Sequence, residues 1–237
     1  TPSWERLSAT IDQAHKQGLK VLLFPILLLN DPGEDHWRGT IAPKSKHLWY
    51  ASYKRWMLKI ADLSQKHKVE LLSVGSEFNS MQVDTPEWIM LIADVRGHFS
   101  GALTYSVNWD SLDSPRFLSQ LDIVGMTTYF SLTEKNDPTQ KELVAAWQPI
   151  QKQIVEWSTQ HRMPVFFTEV GFPSQDGSNK NPWNYFASDK VDLQEQLDCY
   201  ESFESVWRDE PALAGLFFYS WFELGGPENT GYTPRGK

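Results

Sequence analysis

The segment Val69-Glu70-Leu71-Leu72-Ser73-Val74-Gly75-Ser76-Glu77 decides the reading of the fold. It is short, almost wholly apolar or small, and it ends in a carboxylate. A run of this kind, with no helical period, fits a strand buried on both faces, the setting of a parallel sheet. Pro164-Val165-Phe166-Phe167-Thr168-Glu169 has the same form and the same ending. In parallel α/β barrels the reacting side chains come from the carboxyl ends of the strands, so two strands that each deliver a Glu there carry chemical meaning.

Outward from these two segments the order of elements is regular. Trp4 to Gln17 has helical spacing at Leu7, Ile11 and Ala14 and stops at Gly18, a usual residue just past a helix end. Leu19 to Leu28 is a continuous apolar run and reads as a buried strand, although Pro25 lies inside it. His47 to Lys68 predicts a long helix with Trp49, Tyr53, Trp56, Ile60 and Leu63 on one side. Thr85-Pro86 opens a helix that runs to about Phe99, with proline in the first turn. A strand follows over Ala102–Val107, a short helix near Pro115–Gln120, and a strand over Leu121–Thr127. Thr139 and Glu142 form a capping box for a helix reaching about Arg162, and Asp192–Arg208 reads as the next helix. Leu213 to Ser220 is the last strand.

Six strands alternating with helices predict a parallel sheet with helical crossovers. The 237 residues suit a single α/β domain over positions 1–237. The stretch from Gly171 to Phe186, rich in Pro, Gly and Asn, is the one long loop, and long loops at strand ends often carry function.

Bulk composition narrows the function. A formal net charge of -8 disfavours nucleic acid and anionic membrane as partners and suits a neutral substrate. No apolar run is long enough to span a bilayer, which takes about 20 residues. Eleven Trp are compatible with flat rings in a sugar cleft, though for any single Trp a place in the core is the better reading. The lone cysteine, Cys199, precludes an intrachain disulfide and is expected as a half-buried structural thiol on a helix. His36, His47 and His67 show neither His-x-His nor His-Glu-x-x-His spacing, so no metal and no cofactor is expected. A monomer is expected. The chain opens on Thr1-Pro2 with no secretion signal pattern, so it reads as an excerpt or a processed form. Its compartment stays unassigned, with secretion or the cell envelope slightly favoured.

Two carboxyl groups on facing strand ends suit hydrolysis of a glycosidic bond: one protonates the leaving oxygen, and the other attacks the anomeric carbon or activates water. The other strand ends add rings and amides. They offer Asn30-Asp31 and then His36-Trp37-Arg38, Asn108-Trp109-Asp110, Thr127-Thr128-Tyr129-Phe130, and Tyr219-Ser220-Trp221-Phe222-Glu223. Aromatic rings recurring at the strand ends suggest a sugar-binding cleft.

At these residues the chain resembles clan A of the glycoside hydrolases, and within it family 113, known for β-mannanase activity. The resemblance rests on Val74-Gly75-Ser76-Glu77, on Phe167-Thr168-Glu169-Val170-Gly171-Phe172 and on Gly231-Tyr232-Thr233-Pro234-Arg235-Gly236-Lys237. It implies a (β/α)8 TIM-type barrel in which Glu77 ends strand four and Glu169 strand seven. Strands one and two and the last helix are then missing from this chain, which makes the domain incomplete at its N-terminal side. The resemblance implies a retaining glycoside hydrolase that cleaves a β-linked, mannan-type oligosaccharide or polysaccharide by double displacement. Glu77 becomes the acid/base and Glu169 the nucleophile. Tyr129 would hydrogen-bond the nucleophile, Trp221 would underlie the sugar before the scissile bond, and Trp37, Asn108 and Trp109 would line the cleft. Ser76 departs from the pattern: much of the clan has Asn there, contacting the sugar 2-hydroxyl, and a serine hydroxyl is shorter. That departure leaves a second reading open, a catalytically silent carbohydrate-binding barrel.

Overall fold

The computed structural model describes residues 3–30, 36–221 and 225–237. Asp31, Phe222 and Glu223, three of the strand-end residues named above, lie outside the described residues. The chain is an α/β fold whose strands follow one another in chain order in one six-stranded sheet, with every described register parallel. It divides into two compact units, Thr1–Gly125 and Met126–Lys237. No helix among the described residues is long and apolar enough to cross a membrane.

In the first unit, helix α1 (Trp4–Lys16) is capped by Ser3, whose hydroxyl accepts from Arg6 N at 3.2 Å. It closes at Gly18, which takes φ +74°, while Leu19 N reaches back to Ala14 O at 3.1 Å. Strand β1 is only Leu22–Leu23, paired with Leu71 and Leu72. The strand expected over Leu19–Leu28 is therefore much shorter than its apolar run. Pro25 has no N–H to give a ladder, and Leu19 and Leu28 are exposed, at 60% and 78%.

Helix α2 (Lys46–Lys66) buries Tyr50, Tyr53, Met57, Ile60 and Ala61. This stripe is rotated from the expected one, because Trp49 and Trp56 sit half-exposed at its edge. Trp49 stacks on Tyr53 with centroids 5.0 Å apart. Strand β2 (Leu71–Ser76) and strand β3 (Ala102–Val107) are buried along nearly their whole length. Between them, helix α3 (Thr85–His98) contributes Trp88, which is fully buried with Tyr50, Phe78, Tyr105 and Phe117 around it at centroid distances of 5.1–6.0 Å. Its indole N–H donates to Met81 O at 3.0 Å, which removes the cost of burying that donor. The short helix expected near Pro115–Gln120 is a 3-10 turn over Leu118–Gln120.

Strand β4 (Val124–Thr127) straddles the division between the units. In the second unit the Thr139–Glu142 capping box is formed and helix α4 (Gln140–His161) follows it. Strand β5 (Val165–Val170) pairs in parallel with strand β6 (Leu213–Phe218), Phe167 opposite Leu216 and Val170 opposite Phe218. Helix α5 (Leu193–Trp207) packs against α4 through Trp147, Phe203 and Trp207, with Trp147 5.5 Å from Phe203. Cys199 on α5 is fully buried rather than half-buried, and burial pushes its thiol up, which suits a packing role. Strand β6 is far less covered than β5, with Phe217 46% and Phe218 56% exposed.

Candidate active site

Each unit builds its own cluster at the carboxyl ends of its strands. In the first unit, Gly75 lets the backbone of β2 run against aromatic rings: a Cβ there would lie 2.8 Å from the Tyr105 ring and 3.0 Å from Trp88. Two residues on, Glu77 N donates to Ser106 O at 2.8 Å, so the ladder to β3 still holds the chain where the Glu projects. Glu77 takes φ +51°, a left-handed value uncommon outside glycine, and strain of this kind gathers at functional sites. Tyr105 Oη accepts from Phe78 N at 3.0 Å and supports the turn from beneath.

Glu77 is nearly buried and its Oε2 pairs with Arg38 Nη2. Arg38 opens a short 3-10 turn, Arg38–Thr40, closed by Trp37 N donating to Thr40 Oγ1 at 3.2 Å. The turn is tied to the segment after β2, where Ser80 N donates to Gly39 O at 2.9 Å and Ser80 Oγ to Ile41 O at 2.7 Å. The half-exposed Trp37 ring lies across Gly39, where a Cβ would collide with it, and the Arg38 guanidinium carbon is 5.7 Å from its centroid. Ser76 is fully buried, and its hydroxyl has no hydrogen-bond partner among the described residues. Asn108, directly after β3, is buried and donates to Asp110 Oδ1 at 2.8 Å, and Trp109 beside it is half-exposed.

In the second unit, Glu169 lies in β5 and is buried. Thr128 grips its carbonyl with both N–H and hydroxyl, each at 3.0 Å. Its carboxylate Oε2 accepts from Tyr129 Oη at 2.6 Å. Burial first, and the Glu169 charge second, push the Tyr129 phenol well above its ordinary range, so it keeps its proton and remains a donor. Tyr219 and Tyr232 pack around Tyr129, with centroids 6.5 and 6.1 Å away. Gly171 makes room for this packing, since a Cβ would strike Tyr219 O and approach the Tyr232 ring to 3.0 Å. Trp221 is 70% exposed.

The structure thus gathers Trp37, Ser76, Glu77, Asn108 and Trp109 at the strand ends of the first unit, and Tyr129, Glu169 and Trp221 at those of the second. Arg38, Tyr219 and Tyr232 were not singled out from sequence. Arg38 stood beside Trp37 in a quoted strand end, and Tyr232 in the C-terminal motif, but nothing local marks either as a partner of a distant residue.

Among the described residues one group of carboxylates has metal-like spacing: Asp176, Asp192 and Glu195 place ligand oxygens within 4.8 Å of one another. Each already has protein partners. Asp192 caps α5 through Glu195 N at 2.8 Å, Asp176 pairs with Lys190 at 2.8 Å, and Glu195 accepts from Gly177 N and Asn179 N, both at 2.8 Å. The cluster is accounted for as a helix cap and loop anchor.

Comparison with known proteins gives the family and the fold. The family model for Glycoside Hydrolase Family 113 matches residues 1–236, and the chain belongs to that family. It is therefore a glycoside hydrolase. The fold is similar to that of the family 113 β-mannanase AaManA from Alicyclobacillus acidocaldarius, solved in complex with ManMIm. Identity is 28% and the TM-score 0.88, over 99% of this chain and 74% of that one. It is also similar to a family 113 β-1,4-mannanase at 24% identity and TM-score 0.87, over 99% and 75% of the two chains. A β-glucuronidase from an uncultured Clostridium shares the fold at 15% identity and TM-score 0.68, over 95% of this chain and 38% of its own. No curated protein matches the sequence.

Proposed function

We propose that this protein is a retaining glycoside hydrolase acting on a β-linked mannan chain, with Glu169 as nucleophile and Glu77 as acid/base. The observation that carries the reading is the Tyr129–Glu169 hydrogen bond. A nucleophilic carboxylate must stay ionised and aimed although it is buried. A phenol locked in its protonated form donates to that ionised oxygen without competing for its proton.

In the first step the Glu169 carboxylate attacks the anomeric carbon. The glycosidic C–O bond breaks, and the leaving oxygen takes a proton from Glu77. In the second, Glu77 takes a proton from water, the hydroxide attacks the anomeric carbon, and the Glu169 ester is released as carboxylate. Two inversions leave the configuration unchanged. Trp37, Ser76, Asn108 and Trp109 in one unit and Trp221 in the other are the residues proposed to hold the sugars. The hydroxyl of Ser76, buried and without a partner among the described residues, favours contact with the sugar through a bridging water. The six strands and their helices are proposed to form part of a (β/α)8 barrel, in keeping with a chain that spans 74% of the length of the mannanase above.

Exchange of Glu169 for Gln abolishes turnover of β-1,4-mannan on this reading, and an activated 2-fluoro-mannoside esterifies Glu169 in the parent protein. Proton NMR of the first product shows the β-anomer. Full activity in the Gln variant, or the α-anomer as first product, overturns the assignment.

A further inference from the structure

The loop after β5 carries three exposed aromatic side chains in close succession: Trp183 at 42%, Tyr185 at 49% and Phe186 at 82%. Exposed rings scattered singly need no explanation, but contiguous ones on a pinned backbone do. This backbone is pinned. Tyr232 Oη donates to Pro182 O at 2.6 Å, Gln175 Nε2 to Asn184 O at 2.6 Å, and Ala187 N to Asn184 O at 3.2 Å. Phe186 N is held by Asn184 Oδ1 at 3.1 Å. Phe186, the most open of the three, leaves most of its ring in water, and a ring held in place lowers the ordering cost of a ligand that lies on it.

The rings also form a path. From Tyr129, which touches Glu169, centroids step 6.1 Å to Tyr232, 5.9 Å to Tyr185 and 4.2 Å to Phe186. Exposure rises along it, from 8% at Tyr129 and Tyr232 to 82% at Phe186. Of the four rings, Tyr185 and Phe186 are the ones open enough for a sugar to lie on. The segment Pro182-Trp183-Asn184-Tyr185-Phe186-Ala187-Ser188 contains no charged side chain, so its surface suits a neutral partner.

We propose that Tyr185 and Phe186 form a distal sugar subsite, a platform on which a long neutral glycan lies two or more sugars from the bond being cleaved. The proposal rests on Glu169 marking the reacting end. It makes this loop the determinant of chain-length preference: short oligosaccharides do not reach the platform and long ones do.

The test is calorimetric binding of β-1,4-mannohexaose and mannotriose to the full chain carrying Glu169→Gln, with and without Tyr185→Ala and Phe186→Ala. The expected result is a loss of about tenfold in hexaose affinity when both rings are removed, with the difference between hexaose and triose closing. Phe186→Trp keeps the hexaose affinity. In the catalytically intact background, the ratio of kcat/KM on hexaose to that on triose falls by a similar factor. Unchanged hexaose affinity in the double alanine variant overturns the platform, as does hexaose binding no tighter than triose in its absence of loop substitutions. Retained turnover in Glu169→Gln alone would instead remove the nucleophile assignment, while the binding comparison still reads the platform.

Discussion

Tyr129 Oη stands 2.6 Å from Glu169 Oε2, and both side chains are nearly shut off from solvent. The two residues leave adjacent strand ends of one unit, so the contact follows from the parallel order of β4 and β5 rather than from a flexible loop. Removing the phenol oxygen leaves a buried carboxylate short of one donor. Tyr129→Phe is therefore expected to lower kcat on β-1,4-mannan by about 10²-fold, with KM moved far less. Steady-state kinetics with a far-UV spectrum to confirm folding decides it, and a kcat within twofold of the parent refutes it.

Arg38 and Glu77 form a largely buried ion pair in the other unit. Taking away the guanidinium leaves a carboxylate in a place prepared for a positive neighbour. Arg38→Met should destabilise the protein by about 3 kcal/mol and Arg38→Lys by clearly less, because an ammonium keeps the charge but not the planar fork. Urea unfolding of the two variants measures this. Equal losses in both would show that the charge plays no part.

Lys68 sits just past the end of α2 with φ +56°, in the position that Gly18 holds after α1 at +74°. Val69 N reaches back to Ser64 O at 2.9 Å, so the helix closes in the usual way around a residue with a Cβ. Lys68→Gly is expected to stabilise by about 1 kcal/mol, which thermal unfolding reads as a small rise in Tm. A fall in Tm counts against the argument.

Glu142 closes the capping box of α4 and pairs with Lys135, and these partners hold its carboxyl at about 2 against an ordinary value of 4.5. Its folded value is depressed, so the stability it contributes is present above pH 4.5 and is lost as pH falls from there toward 2. The difference in Tm between the parent and Glu142→Gln should thus be greatest at neutral pH and shrink to nothing near pH 2. A difference that stays constant with pH would contradict the linkage.

The alternation of strands and helices was legible because buried strands and capped helices leave local marks. Thr139 and Glu142, or Gly18, can be recognised within four residues. The extent of β1 was not, since an apolar run says nothing about whether a neighbour is there to pair with, and Pro25 weighed more than its hydropathy. On α2 the stripe was misplaced by a single position because Trp49 and Trp56 are large enough to bury one edge and expose the other. Within the candidate site, Glu77 and Glu169 stood out by ending apolar strands, and the Tyr129–Glu169 contact was suggested by family resemblance. Arg38 escaped notice because its partner lies 39 residues away and no local spacing encodes that pairing.

Strand β6 has a further consequence for burial. Its backbone pairs with β5 on one side, and the residues along it include Phe217 and Phe218, each about half open to water. In the (β/α)8 barrel proposed above every strand is paired on both sides, so these two rings mark the seam that closure of such a barrel would cover.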